Sequence, residues 1–174
     1  MSQKTIYTIG HSTRPWEEFV TLLKTHHIQV LADVRSFPSS KRYPHFNKLN
    51  MAENLPKEGI AYQHLIGLGG RRKVQPNSHN TAWRHEAFRG YADYMETEAF
   101  KEGVHDLQTL AESQPVAYMC SEATWWRCHR SMISDYLKTQ GWQVLHIMDM
   151  HQPKEHPFTS PAKVVQGKLF YGEE

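Results

Sequence analysis

Apolar residues along the chain gather in five short runs, each bounded by turn or polar residues. The runs are rich in Val, Ile and Tyr, and their shortness favours strands over helices. The predicted strands are Ile6–Ile9, Val30–Val34, Ile60–Leu65, Val116–Met119 and Val144–Met148.

The stretches between these runs are amphipathic. Apolar residues recur in them at intervals of three and four, which places them on one face of a helix. The pattern predicts helices over Trp16–Leu23, Phe88–Met95 and Phe100–Ala111, and a last helix from near Cys128 to Gly141.

The residues at the helix boundaries support these assignments. Thr13 is the expected cap of the first helix, with Pro15 in its first turn. Thr97 is the expected cap of the helix that starts at Glu98, and Gly141 is typical of the residue that follows a helix end. Helices that alternate with strands predict one α/β domain with a mostly parallel central sheet flanked by helices.

Two segments do not follow the alternation. Residues 68–84 predict a long polar loop, and loops of this length in small domains are often functional. We assign residues 1–150 to the α/β domain. Residues 151–174 contain three prolines and are expected to form an extended tail packed on that domain, in which residues 164–171 could form a small hairpin.

Composition limits the classes of function. The chain has 174 residues, 39% of them hydrophobic, and a formal net charge of +2, which does not by itself indicate a nucleic-acid binder. It has no apolar run of about 18 residues and no signal-peptide pattern, so we expect no membrane association. Two cysteines do not make a disulfide framework. We therefore expect a cytoplasmic protein with reduced thiols; its oligomeric state stays open.

Polar side chains follow each predicted strand. Since ligands bind beyond the carboxyl ends of the strands in open α/β sheets, these residues predict one shared cleft. The alternative is that strand ends are polar only because the chain turns there.

The segment Cys120–Ser131 is the richest in chemistry. It runs from a buried strand into a helix, and such a junction attracts anions and lowers thiol pKa values. Cys120 is the expected nucleophile and Glu122 the expected general acid or base. Alternatively, Cys120 is a small buried hydrophobic residue and Glu122 only pairs with an arginine.

A metal site is a further alternative. The two cysteines could converge with His11, His64, His129 and His146, but Cys-x7-Cys-His is not a standard zinc spacing. We therefore expect no dedicated metal and no cofactor.

Basic and aromatic residues are interleaved near the predicted cleft. Arg35, Lys41-Arg42 and Arg71–Lys73 lie close in sequence to Phe37 and Tyr43. Arginines bind phosphate groups and aromatic faces stack on bases, so an anionic small molecule or a nucleic acid is the expected partner. Salt-bridged loops over a core of aromatics would show the same pattern.

Several blocks of the chain resemble the domain of unknown function 488 family. They are Tyr7–Thr13, Asp33–Pro38, Leu68–Gly70, Gly90–Met95 and Cys120–Ser131, in that order. The resemblance covers nearly the whole chain. It implies a compact α/β domain and supplies no reaction.

These observations favour an enzyme that acts on a phosphate-bearing substrate, a nucleotide or nucleic acid. The alternatives are a non-enzymatic nucleotide or nucleic-acid binding module and a metal- or redox-linked thiol protein. The expected catalytic residues are Cys120, Glu122, His11 and His129. The expected substrate-binding residues are Ser12, Thr13, Arg35, Ser36, Gly69, Gly70, Arg71, Arg130 and Ser131.

Overall fold

The computed structural model describes residues 4–172, and its centre is a six-stranded sheet. The strands are β1 (Thr5–Gly10), β2 (Val30–Asp33), β3 (Ala61–His64), β4 (Val116–Cys120), β5 (Gln143–Ile147) and β6 (Lys154–Glu155). Their order is β3-β2-β4-β1-β5-β6, with β1 to β5 parallel and β6 antiparallel to β5. The predicted α/β fold is confirmed, and the five predicted strands lie within two residues of the observed ones.

Five helices cover the two faces of the sheet. They are α1 (Trp16–Thr25), α2 (Lys48–Lys57), α3 (Glu86–Tyr94), α4 (Glu98–Ser113) and α5 (Arg130–Thr139). Alternate strand residues face opposite sides. Leu31 and Met119 pack with α1 and α2, whereas Ala32 and Tyr118 pack with α3, α4 and α5.

Two of the three residues predicted to mark helix boundaries, Thr97 and Gly141, have the predicted role. The Thr97 side chain accepts a hydrogen bond from the Phe100 amide, so the predicted cap of α4 is confirmed. Gly141 follows the end of α5 with φ 92°, a conformation that glycine adopts without strain. The predicted Thr13 cap is wrong, because α1 begins at Trp16, directly after Pro15, and has no side-chain cap.

The sequence pattern missed α2. This helix buries only two apolar side chains, Met51 and Leu55, and carries Pro56 in its last turn. Its other residues are polar, so the apolar periodicity is too weak to predict a helix.

The C-terminal segment returns to the sheet and then to the helices. After β6, a two-stranded hairpin is formed by β7 (Lys163–Val165) and β8 (Lys168–Phe170), with Gln166 and Gly167 at positive φ in its turn. Such a turn is typical of tight hairpins. In the described residues, no helix is both long enough and apolar enough to cross a membrane.

The topology creates a crevice between β1 and β4. The chain leaves β1 toward α1 on one face of the sheet, and leaves the neighbouring β4 toward α5 on the other face. The two loops therefore diverge at the carboxyl edge, which is where ligands bind in folds of this kind.

Candidate functional site

A pocket of about 810 Å³ lies at the carboxyl ends of β1, β2 and β4. Its wall is formed by residues 11–13, 35–37, 39–40, 43, 70–71, 120–124 and 127–129, together with residues 87–88 of α3. The sequence-predicted residues on the wall are His11, Ser12, Thr13, Arg35, Ser36, Gly70, Arg71, Cys120, Glu122 and His129. Gly69, Arg130 and Ser131 are buried behind this wall and do not line it.

Close backbone contacts shape the pocket. A side chain at Gly10 would lie 1.7 Å from the Glu122 carbonyl oxygen, so only glycine allows the loop after β4 to cross the end of β1. The amides of His11 and Ser12 donate to the carbonyls of Cys120 and Ser121, at 3.0 and 2.9 Å. These bonds extend the β1–β4 pairing into the pocket wall.

The loop from β3 approaches the site through two glycines. A side chain on Gly69 would collide with Ser36, and one on Gly70 would lie 2.6 Å from Nδ1 of His129. The Ser36 hydroxyl oxygen accepts a hydrogen bond from the Arg71 amide at 3.2 Å. Gly69 and Gly70 therefore position the Arg71 backbone and the His129 ring.

The two thiols of the chain meet in the pocket wall and interact with each other. Burial raises the pKa of Cys120 well above its ordinary value, and the nearby Cys128 thiol raises it further. Burial also acts to raise the pKa of Cys128, but the Cys120 thiol and the Arg130 guanidinium outweigh it and hold that pKa below its ordinary value.

The backbone and a ring nitrogen also contact Cys128. The Arg130 amide donates to Sγ of Cys128 at 3.4 Å, and Nδ1 of His129 lies 3.5 Å from the same sulfur. The Ser131 hydroxyl donates to the Cys128 carbonyl at 2.9 Å, which fixes the backbone at the start of α5. The Arg130 amide and guanidinium therefore favour an anion at Cys128, whereas the pKa of Cys120, the predicted nucleophile, is raised.

His129 is held by the strand behind it. Its Nε2 lies 2.8 Å from the Val34 carbonyl oxygen, which can only accept, so Nε2 carries the proton. Burial lowers the pKa of the ring, and the hydrogen bonds to the carbonyls of Val34 and Leu68 only partly offset this. The imidazole is therefore neutral near pH 7, with Nδ1 turned toward Cys128.

Arg130 is a buried cation without a carboxylate partner. Its side chain is 0% exposed, and one Nη donates to the Ala123 carbonyl at 3.3 Å. Within residues 4–172, its Nε and other Nη have no hydrogen-bond partner, and it takes part in no ion pair. An unpaired buried charge is costly, so a Cys128 thiolate is the natural counterion.

Arg35, by contrast, is already paired. Its Nε and Nη2 donate to the Asp33 carboxylate at 2.9 and 2.7 Å, and Nη2 also donates to the Phe46 carbonyl. Its Nη1 lies 3.2 Å from Nε2 of His11. The charge of Arg35, which the sequence predicts to bind substrate, is therefore neutralised by Asp33, two residues earlier in the chain.

His11 has both ring nitrogens engaged. Nδ1 donates to the Ser12 carbonyl at 2.8 Å, and Nε2 accepts from Arg35. Burial lowers the pKa of His11 to about 4, and the Arg35 charge contributes to this. The ring also stacks on Phe46 at 4.3 Å. This geometry suits a residue that orients Arg35 more than an acid–base group.

The free charges of the pocket are at its rim. Arg71 and Arg127 are exposed, and no carboxylate pairs with either among the described residues. The Arg71 guanidinium lies 5.3 Å from the ring of Phe37, which is 69% exposed. Glu122 is exposed on the same wall. Arg127 was not predicted, although its position beside Trp126 and Cys128 was a usable signal.

A second polar network lies next to the pocket. The ring nitrogens of His146 are hydrogen-bonded to the Thr8 hydroxyl at 2.5 Å and to Nδ1 of His156 at 2.8 Å. Nε2 of His156 is hydrogen-bonded to the Asp135 carboxylate at 2.8 Å. The ring of Trp125 stacks on that of His146 at 4.6 Å. In the part of the chain that the structure describes, no group of three or more His, Cys, Asp or Glu side chains is placed to hold a metal ion.

The fold and the pocket define an α/β protein with a thiol-lined cleft at the switch point of a parallel sheet. The family model described as "Domain of unknown function DUF488" matches residues 15–137, and the chain belongs to that family. The match runs from the residue before α1 into α5 and includes both cysteines. No curated protein and no solved structure matches the chain.

Proposed function

We propose that this protein is an enzyme that acts on a phosphate-bearing substrate, a nucleotide or nucleic acid, through the thiolate of Cys128. The observation that carries the proposal is Arg130, a fully buried cation with no carboxylate partner in residues 4–172, beside a thiol that opens into the pocket. A thiolate satisfies this charge and is a strong nucleophile.

The rim of the pocket suits an anionic ligand with a flat base. Within residues 4–172, Arg71 and Arg127 take part in no ion pair, and they would bind phosphate oxygens. Phe37 lies on the pocket wall, is 69% exposed and would stack on a base. Glu122 faces the same space and would carry a proton to or from the reacting group.

The first experiment measures protection of the thiol. Reduced protein is alkylated with iodoacetamide, and intact mass and peptide mapping follow the modification of Cys128. AMP, ATP and short single-stranded DNA and RNA are the probes, with inorganic phosphate beside them. We expect at least one nucleotide or oligonucleotide to slow alkylation in a saturable way. Alkylation that none of these probes slows would contradict the proposal.

The contribution of the rim is tested by substitution. Arg71→Ala combined with Arg127→Ala should raise the half-protecting concentration about tenfold, and should flatten its rise between about 50 and 200 mM salt. Lys57→Ala is the matched control, since Lys57 is an exposed cation on α2 outside the pocket. Equal effects of the pocket and control variants would remove the rim from the proposed site.

A binding module without chemistry is the second candidate, and the exposed cations and aromatic rings favour it by themselves. Incubation of the protecting probe with wild type and with Cys128→Ser separates the two. An enzyme converts the probe to a product of changed mass, and Cys128→Ser retains binding but loses conversion. If the wild type binds and never converts the probe, the binding module stands and the enzyme does not.

A further inference from the structure

Both cysteines of the chain lie in the wall of one pocket. Cys120 ends β4 and Cys128 lies just before α5, so the segment 121–127 closes a short loop between them. Each thiol shifts the pKa of the other, so the two side chains lie near each other. Two neighbouring thiols are a requirement for a disulfide, and no other cysteine in the sequence competes.

The two thiols are not equivalent. Cys128 accepts the Arg130 amide at 3.4 Å and is 7% exposed toward the pocket. Cys120 is 2% exposed, and its S–H donates to the Glu122 carbonyl at 3.7 Å. One sulfur is therefore stabilised as an anion, and the other remains a protonated donor beside it. This is the arrangement of an attacking and a resolving thiol.

We propose that Cys120 and Cys128 form a redox pair, in which Cys128 reduces a small hydroperoxide that enters the pocket and Cys120 then closes an intramolecular disulfide. The proposal shares the Cys128 thiolate with the proposed function but needs no phosphate-bearing substrate.

The chemistry balances in two steps. The Cys128 thiolate attacks the terminal oxygen of the hydroperoxide, the O–O bond breaks, and the alkoxide or hydroxide leaves and takes a proton from water. Cys128 is then a sulfenic acid. The Cys120 sulfur attacks Sγ of Cys128, the S–O bond breaks, and the hydroxyl leaves as water with the Cys120 proton. A small dithiol reduces the disulfide and is itself oxidised to a cyclic disulfide.

Disulfide formation would also affect the proposed ligand site. The loop that the disulfide would close carries Glu122 and Arg127, both on the pocket wall. Oxidation also consumes the anion that offsets Arg130, and a buried charge left unpaired favours the return to the thiolate. The bond should therefore reduce readily, as expected of a reversible pair rather than of a structural disulfide.

The test uses the full reduced chain and one equivalent of hydrogen peroxide. Intact mass under non-reducing conditions should show the loss of two hydrogen atoms, and peptide mapping should join the Cys120 and Cys128 peptides. Dithiothreitol should restore the original mass. This measurement needs no variant, so it does not depend on how a substitution affects folding.

The matched variants assign the roles. Cys120→Ser should still consume one equivalent of peroxide but stop at a sulfenic acid that dimedone traps. Cys128→Ser should react at least about tenfold more slowly, because its remaining thiol is protonated. A rate of Cys128→Ser equal to that of wild type would overturn the assignment. Wild-type protein that gives only a dimedone adduct, or only dimers, would overturn the pair.

The outcomes also separate this inference from the proposed function. A disulfide that forms in a protein whose thiol no nucleotide protects leaves the redox pair standing and removes the phosphate substrate. If a nucleotide protects Cys128 but no intramolecular disulfide forms, the proposed function stands and the redox pair does not. A shared failure, with Cys128 inert to iodoacetamide and to peroxide, would contradict the thiolate itself.

Discussion

Two buried arginines at the same pocket, Arg35 on its wall and Arg130 behind it, are in opposite electrostatic states. Arg35 donates to both oxygens of Asp33, and Tyr62 donates to the same carboxylate at 2.6 Å. Arg130 is more deeply buried, yet no carboxylate pairs with it in residues 4–172. The charge of Arg35 is neutralised without any ligand. The charge of Arg130 needs an anion, which the folded chain supplies only if Cys128 ionises.

The difference separates residues that build the site from residues that react in it. A saturated ion pair fixes geometry and leaves no charge for a substrate. The network of His146, His156 and Asp135 is of the same kind, since Thr159 and Tyr171 also donate to Asp135 at 2.6 Å. The unsaturated groups lie around Cys128 and at the exposed rim. Reactivity is therefore expected there.

The largest expected effect comes from breaking the saturated region. Asp33→Asn would leave Arg35 buried without its counterion, and we expect it to lower the free energy of unfolding by about 3–5 kcal/mol. Urea denaturation measures this loss. Asp106→Asn, at an exposed position on α4, is the control and should change stability little. Equal stability of the two variants would show that Arg35 does not depend on Asp33.

The sequence predicts the fold well because strand and helix periodicity are local. Buried runs such as Val116–Met119 and amphipathic faces such as Phe100–Ala111 need no knowledge of the rest of the chain. The failures have local causes as well: Lys48–Lys57 has too few apolar positions, and β6 is two residues long. A strand that short has no periodicity and forms only because β5 offers it an edge.

The sequence indicates which polar residues lie at one edge of the sheet, but it does not indicate their electrostatic state. Strand ends place Cys120, Glu122 and His129 at one edge, and the structure brings all three to one pocket. Whether an arginine is free or paired depends on side-chain contacts that no sequence spacing reveals. Asp33 stands two residues before Arg35 in the sequence. Only the folded structure shows that its carboxylate accepts hydrogen bonds from both Nε and Nη2 of Arg35. The choice between two thiols likewise depends on Arg130.

A smaller loss of stability is expected when the pH falls below the range in which His11 of the unfolded chain binds a proton. His11 accepts from Arg35, and burial lowers its pKa to about 4, with further lowering from Arg35 and His45 and partial opposition from Ser12 and Asp33. The unfolded chain binds a proton below about pH 6.5 and the folded chain does not. Stability is therefore complete above that pH and falls as the pH falls toward 4, by roughly 2 kcal/mol at about pH 5.

The measurement is urea denaturation at several pH values with a variant that does not titrate. His11→Gln keeps an acceptor for Arg35, and we expect it to remove about 2 kcal/mol of the acid-induced loss. His105→Gln, at an exposed position on α4, should retain the wild-type pH dependence. A wild-type pH profile in His11→Gln would mean that His11 does not carry this part of the acid sensitivity.

The smallest effect on stability, and the most informative one, is expected at Arg130. Arg130→Met replaces a buried unpaired cation with an apolar chain of similar length, so stability should change by no more than about 1 kcal/mol. Removing the charge raises the pKa of Cys128, and its alkylation by iodoacetamide near pH 7 should slow about tenfold. Arg127→Met, at an exposed rim cation, is the control and should leave the thiol pKa nearly unchanged. If Arg130→Met destabilises the protein as much as Asp33→Asn does and the alkylation rate of Cys128 stays the same, Arg130 is a structural residue like Arg35. That result would contradict the distinction between the two arginines.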